Sequence, residues 1–346
     1  MRAAARESID PAARPVGSTW RIKPVLRLFA FGRRHRALLT VLGSLATAAL
    51  LAWVLAGRRE EFTSALSSVP AWVIAVTVLL QALALVSRSE AWHLTIEAAG
   101  GTVSRRVLYR ASSVQVLGGT LNSHLGVAAR IAALRRSSPD ASPQVPTLIA
   151  AEFPILAVEA MLAAAASFTL VGPLGLPWWL PIAVLAVFGL ASAGLRRLAL
   201  SEGRKLWRGL AVLRSLHGGS RVIGLVLIAV FAQIFRNWLL LRAVGVDASF
   251  FDAIAVLIAV VTLGQLPVGP TVGAAAAVLI LGSEGVAATA AAGVLLTVTG
   301  TLGGLCFAAW AGADHLWAAA RRRQRGRGKD AALPATVPPA PHSDAL

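Results

Sequence analysis

Long apolar runs alternate with short basic segments along the chain. Six runs have the length and composition of membrane-crossing helices: Ala37–Ala56, Ala71–Ser87, Thr147–Val171, Trp178–Leu195, Val222–Leu241 and Ala287–Ala311. About 20 apolar residues, rising ~1.5 Å each, cross a hydrocarbon core of about 30 Å. Trp53, Trp72, Trp178, Trp179 and Trp310 stand near run ends, where an interfacial belt places aromatic rings. Two further apolar stretches are broken. Val107–Leu134 is interrupted by GGTLNSHLG at Gly118–Gly126, and Phe251–Gly282 by GQLPVGPTVG at Gly264–Gly273. The arms Val107–Leu117 and Thr271–Gly282 hold 11 and 12 residues. That is about 16 and 18 Å of helix, too short to cross. Each stretch predicts a re-entrant hairpin that enters and leaves by one face.

The charge pattern fixes an orientation. Nine Lys/Arg precede Ala37, four lie in Arg88–Arg110, three in Arg130–Arg136, seven in Arg196–Arg221 and six after Gly312. Six spans and two hairpins put all of these on one side. Only Arg58, Arg59 and Arg242 fall on the other, and Arg236 lies within a span. Basic loops favour the cytoplasm, so both termini are expected inside a multi-pass protein of the cytoplasmic membrane. Residues 1–36 read as a basic cytoplasmic segment, 37–313 as the membrane domain, and 314–346 as a disordered basic and Pro/Ala-rich tail.

Composition agrees. Hydrophobic residues are 56% and charged residues 14%, against about 25% charged in an ordinary soluble domain. A net charge of +17 would suggest nucleic acid in a soluble protein. Here it belongs to inner-face loops, and nucleic acid is not an expected partner. The single Cys306 excludes a disulfide framework within one chain, and the six histidines show no metal spacing. There is no phosphate-binding P-loop and no defensible Ser-His-acid order, so neither an enzyme nor a cofactor is expected.

The broken stretches also resemble each other. LGGTLNSHLGVAA (Leu117–Ala129) and LGQLPVGPTVGAAA (Leu263–Ala276) share an opening Leu-Gly and a later Gly before small residues. At an offset of 146, Trp92 falls on Trp238, Leu94 on Leu240 and Gly118 on Gly264. The spans preceding the two hairpins run in opposite directions, so such a repeat would be inverted. Inverted repeats with Gly/Pro-broken helices in matching places point to a transport site near the bilayer midplane. Irregular backbone at that depth survives only where protein or a wet cavity satisfies it.

Polar residues inside spans are the candidate site. Glu152 and Glu159 share a face of Thr147–Val171, with Pro154 between them expected to kink the helix. Gln233, Arg236 and Asn237 form an i, i+3, i+4 stripe on Val222–Leu241. Counted from the cytoplasmic side, Glu159 and Arg236 come to similar depths, so one shared cavity is expected. An Arg there suits the phosphate of an anionic or polyprenyl-phosphate lipid. Its bland reading is a side chain reaching the outer interface. Asn122 and His124 sit at the first hairpin tip, Pro267 and Pro270 at the second, and Arg130 ends the first hairpin. Arg130 also reads as an ordinary inside anchor, and a lone His is usually a packing residue. Gly300 and Gly304 could pack helices closely. RKLWRGLAVLRSL (Arg204–Leu216) reads as a basic amphipathic stretch on the inner leaflet.

At the hairpins the sequence resembles the transmembrane part of lysylphosphatidylglycerol synthases and its stand-alone flippase-like relatives. That family carries an Asn-containing loop leading to Gly-acid-x-x-Arg. Asn122, Gly126 and Arg130 fit, and Val127 stands at the acidic position. A later family element reads roughly Leu-Pro-x-x-Pro-Gly-Gly-x-Gly followed by Glu. Leu266, Pro267, Pro270 and Gly273 fit, with Thr271 and Val272 at the glycine positions and alanines where the Glu would be. The resemblance implies movement of an amphipathic lipid between leaflets. The alternative is a non-transporting scaffold or accessory subunit for a cell-envelope lipid or glycan enzyme. Membrane lipids, a second copy or such an enzyme are the partners these readings imply.

Overall fold

The computed structural model describes residues 36–119, 123–138, 142–200, 205–264 and 272–330. Every element among them is a helix. In chain order they are α1 (Arg36–Leu55), α2 (Arg59–Ser67), α3 (Ala71–Ala98), α4 (Arg105–Gly119), α5 (Ser123–Ser137), α6 (Val145–Ala150), α7 (Phe153–Ala166), α8 (Val171–Leu174), α9 (Trp179–Leu200), α10 (Leu216–Ala243), α11 (Phe250–Leu263), α12 (Val272–Leu281) and α13 (Val286–Asp330). Short 3₁₀ segments cover Ser167–Leu170, Lys205–Arg214 and Gly282–Glu284.

Five helical stretches are long and apolar enough to cross a membrane: α3, the run Val145–Leu174 (α6 to α8), α9, α10 and Val286–Ala313 within α13. The last is the most enclosed by protein and α9 the least. The chain is therefore an all-helical, multi-pass membrane protein.

α3 and α10 form the central pair. Each has 28 residues, and they run antiparallel. Val73 at the start of α3 packs in one core with Leu240 and Leu241 at the end of α10. Trp92 and Ile96 at the end of α3 pack in a second core with Val222 and Val226 at the start of α10. Ala84, Ala229 and Ala232 form a third, small cluster between α3 and α10 with Leu80 against it, and Val230 packs against both larger cores. Small residues there let the two helices approach closely.

The two central helices end alike. Gly100 takes φ +88°, and the Gly101 amide donates to the Ile96 carbonyl at 3.0 Å. Gly245 takes φ +86°, and the Val246 amide donates to the Leu241 carbonyl at 3.1 Å. Both are glycine-terminated helix ends that a side chain at the positive-φ position would strain. Each long helix is followed by two short ones that pack on each other, α4 with α5 and α11 with α12. Helix starts at 71 and 216, and at 105 and 250, share an offset of 145. The Gly100 and Gly245 turns keep the same offset, one residue from the 146 that the sequence identities suggested.

Three differences from the sequence reading have physical causes. α3 does not stop at Ser87 but continues through Arg88, Glu90 and His93 to Ala98, because α7, α4 and the loop before α4 supply partners for those side chains. The segment Lys205–Arg214 does not lay its apolar side on lipid: Leu210 and Val212 are buried, and Val212 joins the core around Trp92. The last helix passes the expected boundary at Ala311 and runs to Asp330, carried by alanines and arginines that favour helix.

Candidate functional site

The polar groups gather around α3. Pro154 breaks the Glu-bearing helix as its chemistry requires, since it has no N–H to donate and crowds the preceding turn. α6 ends at Ala150, Ala151 and Glu152 form a turn, and α7 resumes at Phe153. This break places Glu152 at the start of α7, where it faces α5. Arg130 on α5 donates to its carboxylate from Nη2. The residues are 1% and 6% exposed, a fully desolvated pair. The Arg130 guanidinium also lies 3.8 Å from the centre of the Trp92 ring, so an aromatic face covers the cation's other side.

Glu159 stands seven residues further along α7, about 10 Å up the axis. Its carboxylate accepts from Arg88 Nη2 at 3.0 Å. This pair is more open, with side chains 38% and 25% exposed. Arg88 and Glu159 both lie within electrostatic reach of Arg130. Two Arg–Glu pairs thus form one four-membered, charge-balanced cluster joining α3, α5 and α7.

Arg236 lies elsewhere. Its Nη1 donates to the side-chain oxygen of Gln81 on α3, and Gln233 donates to the same oxygen at 3.1 Å. Arg236 and Asn237 are buried, with Arg236 Nε and Asn237 Oδ1 unpartnered among the described residues. α13 packs against both Gln81 and Arg236, through Gly303 and Gly300. A Cβ added at Gly300 would lie 3.4 Å from Arg236 Nη1, so the glycine admits the guanidinium. Gly304 likewise admits Val116 of α4.

The expected grouping of Glu152, Glu159 and Arg236 is therefore not one direct contact. Each Glu pairs with a different Arg, and Arg236 pairs with an amide. α3 links the two groups: Gln81 and Arg88 are seven residues apart, on one face and about 10 Å from each other. Arg130 is a core cation, not an inside anchor, and Arg236 does not reach for the outer interface. Asn122, Pro267 and Pro270 lie outside the described residues. For His124 only the backbone is described, in the first turn of α5.

Sequence reasoning missed Gln81, Arg88 and Trp92. The signal was present in the seven-residue spacing of Gln81 and Arg88, which a helix extended past Ser87 would have put on one face.

Glu90 heads a separate polar group. It accepts from Tyr109 and sits 3.4 Å from Arg105, while the Tyr109 ring packs on Phe307 and Trp310. A surface cleft of about 310 Å³ lies at the other end of the molecule, lined by Glu61, Ser64, Ser68 and Val244, away from both ionic groups. No cluster of three His, Cys, Asp or Glu among the described residues could hold a metal.

Comparison with protein-family models, with curated proteins and with solved structures finds no match to this chain.

Proposed function

We propose that the chain is a flippase-like protein of the cytoplasmic membrane, moving a lipid or lipid-linked polar molecule between leaflets. One observation carries this reading: ionic side chains are buried inside the helix bundle, Arg236 between α3 and α10 and the Arg130–Glu152 pair against Trp92 in the second core. A charged group at the bilayer centre costs about 2.5–3.5 kcal/mol on insertion scales, and such groups are kept where they face a partner or a pathway. A polar headgroup crossing the membrane needs such groups.

The architecture supports the same reading. In this proposal α1 is a sixth span, and α4–α5 and α11–α12 are re-entrant hairpins. The matched helix starts and glycine ends, together with antiparallel α3 and α10, are what an inverted repeat would produce. Both termini then face the cytoplasm. The resemblance to the flippase-like family points to the same activity. The test is leaflet exchange of headgroup-labelled phospholipid in liposomes holding the purified full-length protein. Exchange faster than in empty vesicles is expected, and equal rates overturn the reading.

A further inference from the structure

Core charges balance with one exception. Glu152 neutralises Arg130, and Glu159 neutralises Arg88. The other described carboxylates are engaged or peripheral. Glu90 meets Tyr109 and Arg105, Glu97 lies beside His93, Asp247 takes Arg242 and Asp252 caps α11. Glu60, Glu61 and Glu284 are exposed. Arg236 alone is a buried cation, 8% exposed, with no carboxylate among the described residues. Its acceptor there is the neutral Gln81, and its Nε has none.

The surroundings hold this guanidinium ready. Gln81 accepts from both Gln233 and Arg236, which fixes the plane of the fork. Gly300 offers bare backbone, with a hypothetical Cβ 3.4 Å from Nη1 and 3.8 Å from Nη2. Gln233 adds a second polar donor beside it. The Nε–Nη2 edge of this guanidinium, which meets no carboxylate among the described residues, matches a tetrahedral oxyanion, which accepts two parallel N–H bonds.

We infer that Arg236, oriented by Gln81 and Gln233, is the binding site for one phosphate group carried at mid-depth. This deepens the transport reading and rests on it, since it makes the cargo a phosphate-bearing lipid. A headgroup with acyl chains is the carrier of choice, because apolar cores flank the site above and below. Free phosphate shares the chemistry.

The test measures binding, apart from transport. Full-length protein in a neutral, non-ionic detergent is titrated with short-chain phosphatidic acid, short-chain phosphatidylglycerol, a neutral short-chain diacylglycerol and inorganic phosphate, reading the ligand-dependent rise in Tm. The two phospholipids should bind and the diacylglycerol should not. Arg236→Gln should weaken phospholipid binding about tenfold or more, the size of a lost charged hydrogen bond. Arg236→Lys should fall between, because it keeps the charge and loses the fork. Gln81→Ala should also weaken binding, and the exposed control Arg242→Gln should not. Competition by inorganic phosphate at similar concentration would name phosphate itself as the ligand; competition only in large excess would name the lipid.

Unchanged binding in Arg236→Gln, or no phospholipid binding by the unmodified protein, overturns the inference. If Arg236→Gln fails to fold, Arg236→Lys and Gln81→Ala decide, and unchanged binding in both overturns it. Arg236-dependent binding without leaflet exchange would sink the transport reading and leave the phosphate site. Exchange with Arg236-independent binding would do the reverse.

Discussion

Glu152→Gln removes one charge from the most buried ion pair and changes side-chain volume little. Arg130 is 1% exposed, so its charge has no route to water once Glu152 is neutral. Removing one partner of a buried pair costs about 3–5 kcal/mol, mostly the desolvation of the charge left behind. Two features reduce this. The Trp92 ring keeps its grip on the guanidinium, and the Gln carbonyl still accepts a hydrogen bond. Each offsets about 1 kcal/mol, which leaves a net loss of about 1–3 kcal/mol. Glu159→Gln is the matched comparison. Its pair is 38% and 25% exposed, so solvent screens it, and a loss of at most about 1 kcal/mol is expected. Thermal unfolding of purified protein in one detergent reads both. At about 2–4 °C per kcal/mol, Glu152→Gln should lower Tm by roughly 2–12 °C and Glu159→Gln by no more than about 4 °C. The double variant Arg130→Met with Glu152→Leu removes both charges. Apolar replacement of a buried pair is often neutral or stabilising, so its Tm should return close to the starting value. Equal losses at Glu152 and Glu159, or a double variant as unstable as Glu152→Gln, would refute the argument that an orphaned charge sets the cost.

Helix contact and topology give two more tests. A Cβ at Gly293 would fall on the Ala274 backbone, and one at Gly273 would lie 2.6 Å from the Gly293 carbonyl oxygen. Gly293→Ala must therefore push α12 from α13 and should lower Tm, with a cost of about 1–3 kcal/mol. Gly189→Ala on α9 meets nothing within 4 Å. It should be neutral or gain up to about 1 kcal/mol of helix propensity, and similar losses at both positions would contradict the packing account. The hairpin reading is tested in a Cys306→Ser background by Thr102→Cys and Ser138→Cys, which flank α4 and α5. Both should react with an impermeant maleimide from the cytoplasmic side, and Arg59→Cys from the other. Labelling of Thr102→Cys and Ser138→Cys from opposite sides would show that α4–α5 crosses the membrane.

Five of the six expected spans were legible because burial in lipid writes itself as composition. α3 begins at Ala71 as the apolar run does, and the starts of α9 and α13 fall within one residue of Trp178 and Ala287. A distortion at Pro154 was legible for a local reason, the missing N–H; it is a two-residue turn where a kink was expected. What an apolar-run criterion cannot see is a polar helix turn satisfied by other helices. Ser87 ended the run, yet α3 continues for 11 residues whose charges find partners in α4 and α7. The pairings themselves are tertiary. Arg130 meets Glu152 across 22 residues, Arg88 meets Glu159 across 71, and Arg236 meets Gln81 across 155. Spacing along one helix placed Glu152 and Glu159 together, but it carried no information on which arginine each would face.

The division of labour among the arginines follows from their exposure and partners. Arg130 is enclosed between Glu152 and the Trp92 ring, and has no freedom to change partner without exposing a desolvated carboxylate. It therefore belongs to the fixed frame joining α5 to α7. Arg88 is held by one partner and is more than a third exposed, so it can release Glu159 at little cost. Arg236 has no carboxylate to release. A phosphate drawn to Arg236 would stand about 10 Å along α3 from Arg88, a distance over which two charges in a poorly solvated band still interact. Because Gln81 and Arg88 ride on the same helix, the energetic link between cargo and ion pair needs no element other than α3.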